Sequence, residues 1–170
     1  MDADVVLLVP ARVGPTVRYG EAYERSQAGI RAALPLAEEL GVTIAVENVW
    51  NNFLLSPLEF ARYIDEFGSP RVKAYFDVGN IIKYGWAQDW ILTLGERIVR
   101  LHWKDYDRKS NEWKALGEGS VDWPETRQAL RDIGFRGFGT VEMKAGDEAY
   151  LRDICERMKA IGRGERPSAA

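Results

Sequence analysis

Val72-Lys73-Ala74-Tyr75-Phe76-Asp77 is a short, mostly apolar run of strand-forming residues that ends on a carboxylate. Helical signals flank it on both sides. Upstream, Ser56-Pro57-Leu58-Glu59 reads as a helix start, with Ser as N-cap, Pro at the first helical position and Glu three residues past the cap. That helix is expected to run to about Phe67, where Gly68-Ser69-Pro70 stops it. Downstream, a helix is expected from about Gln88 to Leu94, and then a second strand, Ile98-Val99-Arg100-Leu101, which ends on His102.

The same rhythm extends outward. Val5 to Val9 is an apolar run, and Glu21 to Leu40 carries a helical stripe of Ile30, Ala33, Leu34, Leu36, Ala37 and Leu40. Val42 to Val46 then reads as a strand running into Glu47. Toward the C-terminus come a helix over Pro124 to Ile133, a strand Gly139-Thr140-Val141 leading to Glu142, a helix from about Asp147 to Ile161, and a flexible tail over residues 162–170. Strands that are nearly continuous in apolar residues and alternate with helices imply a parallel sheet, because each crossover helix covers a sheet face.

In parallel α/β folds the functional groups stand at the C-terminal ends of the strands. Here those ends carry Glu47, Asp77, His102 and Glu142, spaced by 30, 25 and 40 residues. Each interval is close to one strand-helix repeat, so the four side chains are expected to converge on a common point. All four are of metal-ligand type, and together they predict a single divalent-metal site.

Composition narrows the alternatives. The 170 residues suit one domain, and hydrophobic residues make up 46% of them, enough for a packed core. The net charge of -3 is spread over interspersed charges of both signs, with no basic stripe, so no nucleic-acid partner is expected. No apolar stretch approaches the ~20 residues that span a bilayer, and the N-terminus lacks the pattern of a signal peptide. A cytoplasmic protein without a membrane partner is the expectation. Cys155 is alone, which rules out an intrachain disulfide, and a half-buried packing role is expected for it.

The motifs Val46-Glu47-Asn48, Phe76-Asp77-Val78-Gly79-Asn80, Leu101-His102-Trp103-Lys104-Asp105, Leu116 to Trp123 and Thr140-Val141-Glu142-Met143, taken in this order, resemble the xylose isomerase-like (β/α)8 TIM barrels of the sugar phosphate isomerase/epimerase superfamily, which includes the ketose 3-epimerases. The resemblance spans about Val5 to Ile161. It implies that Glu47, Asp77, His102 and Glu142 hold one metal ion and that Glu47 and Glu142 double as an acid/base pair on opposite faces of the substrate. It also implies a metal-dependent epimerase or isomerase acting on a ketose or ketose phosphate through an enediolate, and a substrate contact at Arg108. At Asn80 the sequence departs from the histidine that many epimerases carry; asparagine can bind a sugar oxygen but does not titrate. Lys104 and Asp105 read either as partners of His102 and the substrate or as a loop ion pair.

Three carboxylates and one imidazole make a hard, oxygen-rich donor set that suits Mn²⁺ or Mg²⁺, with Co²⁺ as a third choice. Two other readings stand beside the epimerase: a dehydratase or endonuclease on the same scaffold, and a barrel fragment without activity. The multi-metal nucleases of the superfamily use many histidines, and this chain has one. A complete barrel takes about 250 residues, and five units are found where eight belong. Residues 1–161 therefore read as the C-terminal part of such a barrel, with the first three units missing. Five strands leave two parallel edges and an uncovered inner face, and a homo-oligomer that covers the opening is expected. Trp50, Phe53 and Trp86 are expected to form either an apolar wall over a sugar ring or core packing, and Glu118 is expected to be a turn residue.

Overall fold

The computed structural model describes residues 3–165 and Pro167. Strands β1 (Val5–Leu8), β2 (Thr43–Glu47), β3 (Val72–Asp77), β4 (Ile98–Trp103) and β7 (Phe138–Val141) form one sheet in that order, and every pairing in it is parallel. Helices α1 (Tyr19–Leu40), α2 (Pro57–Asp65), α4 (Ala87–Leu94), α5 (Trp123–Asp132) and α6 (Glu148–Arg163) make the crossovers. The result is the expected α/β architecture, a partial TIM barrel of five strand-helix units.

The local reasons match the sequence closely. Ser56 caps α2 by accepting the Glu59 N–H at 3.1 Å, with Pro57 at the first helical position. Asp122 and Asp147 cap α5 and α6 by accepting the N–H groups of Glu125 and Tyr150. Alternate strand residues split between two faces. Val46, Val72, Ala74, Phe76 and Leu101 face the helices and join Phe60, Tyr63, Trp90, Ile91 and Leu94 in the core. The opposite, inner face carries Tyr75, Arg100 and His102.

Three features differ from the sequence reading. A hairpin of β5 (Asp105–Asp107) and β6 (Glu112–Lys114) follows β4, and a single turn of helix, α3 (Val78–Ile81), follows β3 directly. Helix α6 runs to Arg163, two residues into the stretch read as tail, and Pro167 lies buried against Gly117. Arg166 and residues 168–170 of that stretch lie outside the described residues. Cys155 is exposed rather than half-buried, because it falls on the solvent side of α6 while Ile154, Arg157 and Ile161 face inward. No described helix is long and apolar enough to cross a membrane.

The open edges are apolar. Val6 and Leu7 on β1 are 50% and 37% exposed, and Phe138 on β7 is 75% exposed. Unpaired edge strands with apolar side chains favour association. Sedimentation velocity on the purified chain should therefore show concentration-dependent species larger than a monomer. A single monodisperse monomer over the whole concentration range would contradict this expectation.

Candidate metal centre

Strand register brings the four predicted donors to one point. Glu47 pairs with Tyr75, two residues before Asp77. Asp77 stands directly opposite His102. His102 pairs with Thr140, two residues before Glu142. Steps of two keep all four side chains on the inner face. The β3–β4 register matters most here. Ala74 pairs with Ile98 but Tyr75 pairs with Arg100, so Val99 is an extra residue in β4. With an unbroken ladder Leu101 would stand opposite Asp77 and His102 would turn toward the helices.

One donor atom from each of Glu47, Asp77, His102 and Glu142 lies within 4.8 Å of every other. His102 Nδ1 is 2.6 Å from Glu47 Oε1, 3.4 Å from Glu142 Oε2 and 3.9 Å from Asp77 Oδ2. Glu47 and Asp77 are buried, His102 is half-buried and Glu142 is exposed. Lys104 reaches into the same cluster, with its ammonium 2.5 Å from Glu142 Oε2 and 3.3 Å from Asp77 Oδ2. It can do so because Gly79 lies against the Lys104 backbone: a Cβ at position 79 would fall 2.5 Å from the Lys104 Cβ.

Backbone and amide groups brace the strand ends. Asn48 and Asp77 exchange two hydrogen bonds: the Asp77 N–H donates to Asn48 Oδ1, and Asn48 Nδ2 donates to the Asp77 carbonyl. Asp77 Oδ1 accepts the Asn80 N–H at 2.8 Å, and Asn80 Nδ2 donates to the Asn48 carbonyl. Asn80 is thus buried inside this brace. Asp77 Oδ2 is the exception. It is fully buried and accepts no hydrogen bond of acceptable geometry, the Lys104 ammonium being only an ion-pair contact.

The electrostatics follow. Burial pushes the Asp77 carboxyl up to about 7, and the Lys104 ammonium only partly offsets this. For Glu142, burial acts upward but Lys104 outweighs it and lowers the pKa. Burial pulls His102 and Lys104 down. The hydrogen bond and charge of Glu47 reverse this for His102, the charge of Asp77 and the Glu142 contact reverse it for Lys104, and both end raised. A buried, unpartnered carboxylate oxygen among two further carboxylates and an imidazole fits a divalent cation. Glu47, Asp77, His102 and Glu142 are the residues that could hold it.

The other predicted residues fall around this centre. Arg108 lies over the Trp86 ring at 4.6 Å. Asp105 neither touches His102 nor reaches the cluster. It is buried and accepts the N–H groups of Tyr106, Gly117 and Val121 and of the Trp123 indole, and so ties the 115–121 loop to the hairpin. Glu118 in that loop pairs with Arg157 at 2.9 Å. Phe53 is core. Trp50 donates its Nε1–H to the Asn80 carbonyl and stacks on Trp113 at 4.8 Å. Trp113 was not singled out by sequence. It sits on a strand of three residues, too short for its alternation to register.

Residues 1–161 match the family model described as xylose isomerase-like TIM barrel. A D-psicose 3-epimerase of Enterocloster bolteae is 32% identical over 122 residues, which cover 69% of this chain and 39% of that protein. A putative L-ribulose-5-phosphate 3-epimerase of Haemophilus influenzae is 29% identical over 149 residues, covering 83% of this chain and 52% of that protein. The chain thus spans about half the length of the curated relatives it matches. The crystal structure of a D-tagatose 3-epimerase-like protein superposes with a TM-score of 0.76 at 21% identity, over 95% of this chain and 64% of that one.

Burial of Asp77 makes a pH-dependent prediction for the metal-free chain. Its folded pKa is raised, so the folded state binds the proton more tightly; the stability this confers is present below about pH 4 and is lost as pH rises toward 7. In EDTA, Asp77→Asn should therefore raise the urea midpoint much more at pH 8 than at pH 5. An equal effect of Asp77→Asn at the two pH values would contradict this account.

Proposed function

The chain belongs to the xylose isomerase-like TIM-barrel family, and from that premise we propose that it carries the cation-binding and acid/base part of a sugar or sugar-phosphate epimerase/isomerase. The observation that carries the reading is the convergence of Glu47, Asp77, His102 and Glu142 on one point at the open ends of the strands. Relatives named as 3-epimerases of psicose and ribulose 5-phosphate support the substrate class.

The chemical problem is a C–H proton beside a ketose carbonyl, which is only weakly acidic. A divalent cation, Mn²⁺ or Mg²⁺ first and Co²⁺ next by donor chemistry, supplies Lewis-acid polarisation of that carbonyl when bound. The chain's own residues move the proton. One glutamate takes the C3 proton at a carboxylate oxygen, and the other returns a proton to the opposite face, inverting the centre. His102 Nδ1, at 2.6 Å, fixes the orientation of the Glu47 carboxylate. Lys104 keeps Glu142 ionised and ready to accept. Asp77 is sealed from solvent and serves to hold the centre. Taking the proton from C1 instead and returning one at C2 gives isomerisation, so the seating of the sugar selects the outcome. Lys104 is the substrate contact we favour; Arg108, on the Trp86 face, and Asn80, within the strand-end brace, are outer contacts.

A second reading rests on the exposed inner face and edges. In it the chain holds a cation but does not enclose a substrate. Solvent-deuterium exchange separates the two. The Mn²⁺- or Mg²⁺-loaded chain should incorporate deuterium at C3 or C1 of a ketose or ketose phosphate. Glu47→Gln and Glu142→Gln should each lower exchange by about 10²- to 10⁴-fold. A loaded chain that leaves deuterium out across a panel of both sugar classes establishes the second reading instead.

A further inference from the structure

A cavity of about 820 Å³ lies beside the metal centre, with Trp113 of the β5–β6 hairpin as one wall and Lys104 and Glu142 joining it to the centre. Trp113 is 45% exposed, so core packing does not account for where it stands. Its ring contacts do. The indole stacks on that of Trp50, with centroids 4.8 Å apart and planes 22° from parallel. Each ring of this pair carries an ammonium: Lys104 lies over Trp113 at 5.0 Å from the centroid, and Lys83 over Trp50 at 4.4 Å.

The pair is held from several sides. Trp50 donates its Nε1–H to the Asn80 carbonyl at 2.9 Å, which ties it to the brace around Asp77. The buried Tyr106 meets both indoles, with centroids 5.2 Å away in each case. The segments that follow β2, β3 and β4 are thus joined through aromatic rings, and Trp113 is where that assembly reaches Lys104.

Lys104 needs such a support. Its ammonium is a point charge on a flexible four-carbon stem, and its contacts with Glu142 and Asp77, at 2.5 Å and 3.3 Å, leave that stem free to swing. A ring face attracts an ammonium through its quadrupole, more strongly as water is withdrawn. The Lys104 side chain is only 17% exposed, so the attraction acts in a partly dry setting. We infer that Trp113 is a positioning residue, whose ring face seats the Lys104 ammonium against Glu142. The inference rests on the epimerase/isomerase reading and gives the β5–β6 hairpin a part in it that runs through Lys104 and needs no contact with substrate.

NMR of the lysine side chains in the presence of Mg²⁺ tests the seating without any turnover. The Lys104 ε-methylene, identified by its loss in Lys104→Met, should be shifted upfield by the indole. Trp113→Leu should abolish that shift, and Trp113→Phe should keep part of it. The Lys83 resonance, shifted by Trp50, should persist in all of these and report that the rest of the assembly is in place. Deuterium exchange into a ketose or ketose phosphate tests the consequence. Trp113→Leu should lower the exchange rate by about 3- to 30-fold, the range of a cation–π contact as it loses solvent. Trp113→Phe should recover part of the loss. In a Lys104→Met background Trp113→Leu should lower exchange no further, because its effect runs through Lys104. An unshifted Lys104 resonance, exchange untouched by Trp113→Leu, or an equal loss in both backgrounds would overturn the inference. A shifted resonance in a chain that performs no exchange sinks the epimerase/isomerase reading and leaves the seating of Lys104 standing.

Discussion

Asp77 is completely buried, and one of its carboxylate oxygens accepts no well-formed hydrogen bond. Left ionised, such a group destabilises the fold by several kcal/mol unless a cation stands against it. Two other carboxylates, Glu47 and Glu142, crowd the same point, and only His102 and Lys104 oppose them. Burial above all, with a smaller push from the charge of Glu47, raises the pKa of Asp77. A divalent cation held there would relieve the repulsion in one step, which is why we propose the centre as a cation site.

Holding that unfavourable cluster requires a rigid frame. The sheet supplies it through register, and the Asn48–Asp77–Asn80 hydrogen bonds lock adjacent strand ends together. Gly79 lets the segment after β3 lie directly on Lys104, which places an ammonium at the edge of the cluster. Beyond the centre, Asp105 gathers four N–H donors and pins the loop and hairpin that carry Trp113 and Lys114. The buried carboxylate at 77 faces the candidate cation site, whereas the one at 105 is fully satisfied and builds the cavity wall.

The sheet is also open. Its first and last strands present Val6, Leu7 and Phe138 to solvent. The four candidate donors lie on β2, β3 and β4 and just after β7, beside an inner face that is not covered.

Much of this was legible in the sequence. Strand ends at Glu47, Asp77, His102 and Glu142 follow from apolar runs closed by polar residues, and the bounds of α2 follow from the Ser56 cap and the Gly68-Ser69-Pro70 stop. These signals are local, and local chemistry writes them plainly. The β5–β6 hairpin escaped notice because strands of three residues carry too little alternation. Asp105, one residue from Lys104 in sequence, could not be told from a site carboxylate until its four donors were seen. The repeat spacing predicts that the four donors converge, but the register that achieves it was beyond the sequence: one extra residue at Val99 decides whether His102 meets Asp77 or turns away. The sequence by itself determined which residues stand at the strand ends. Only the tertiary structure decided which of them meet, because pairing register depends on how neighbouring strands pack and not on either strand alone.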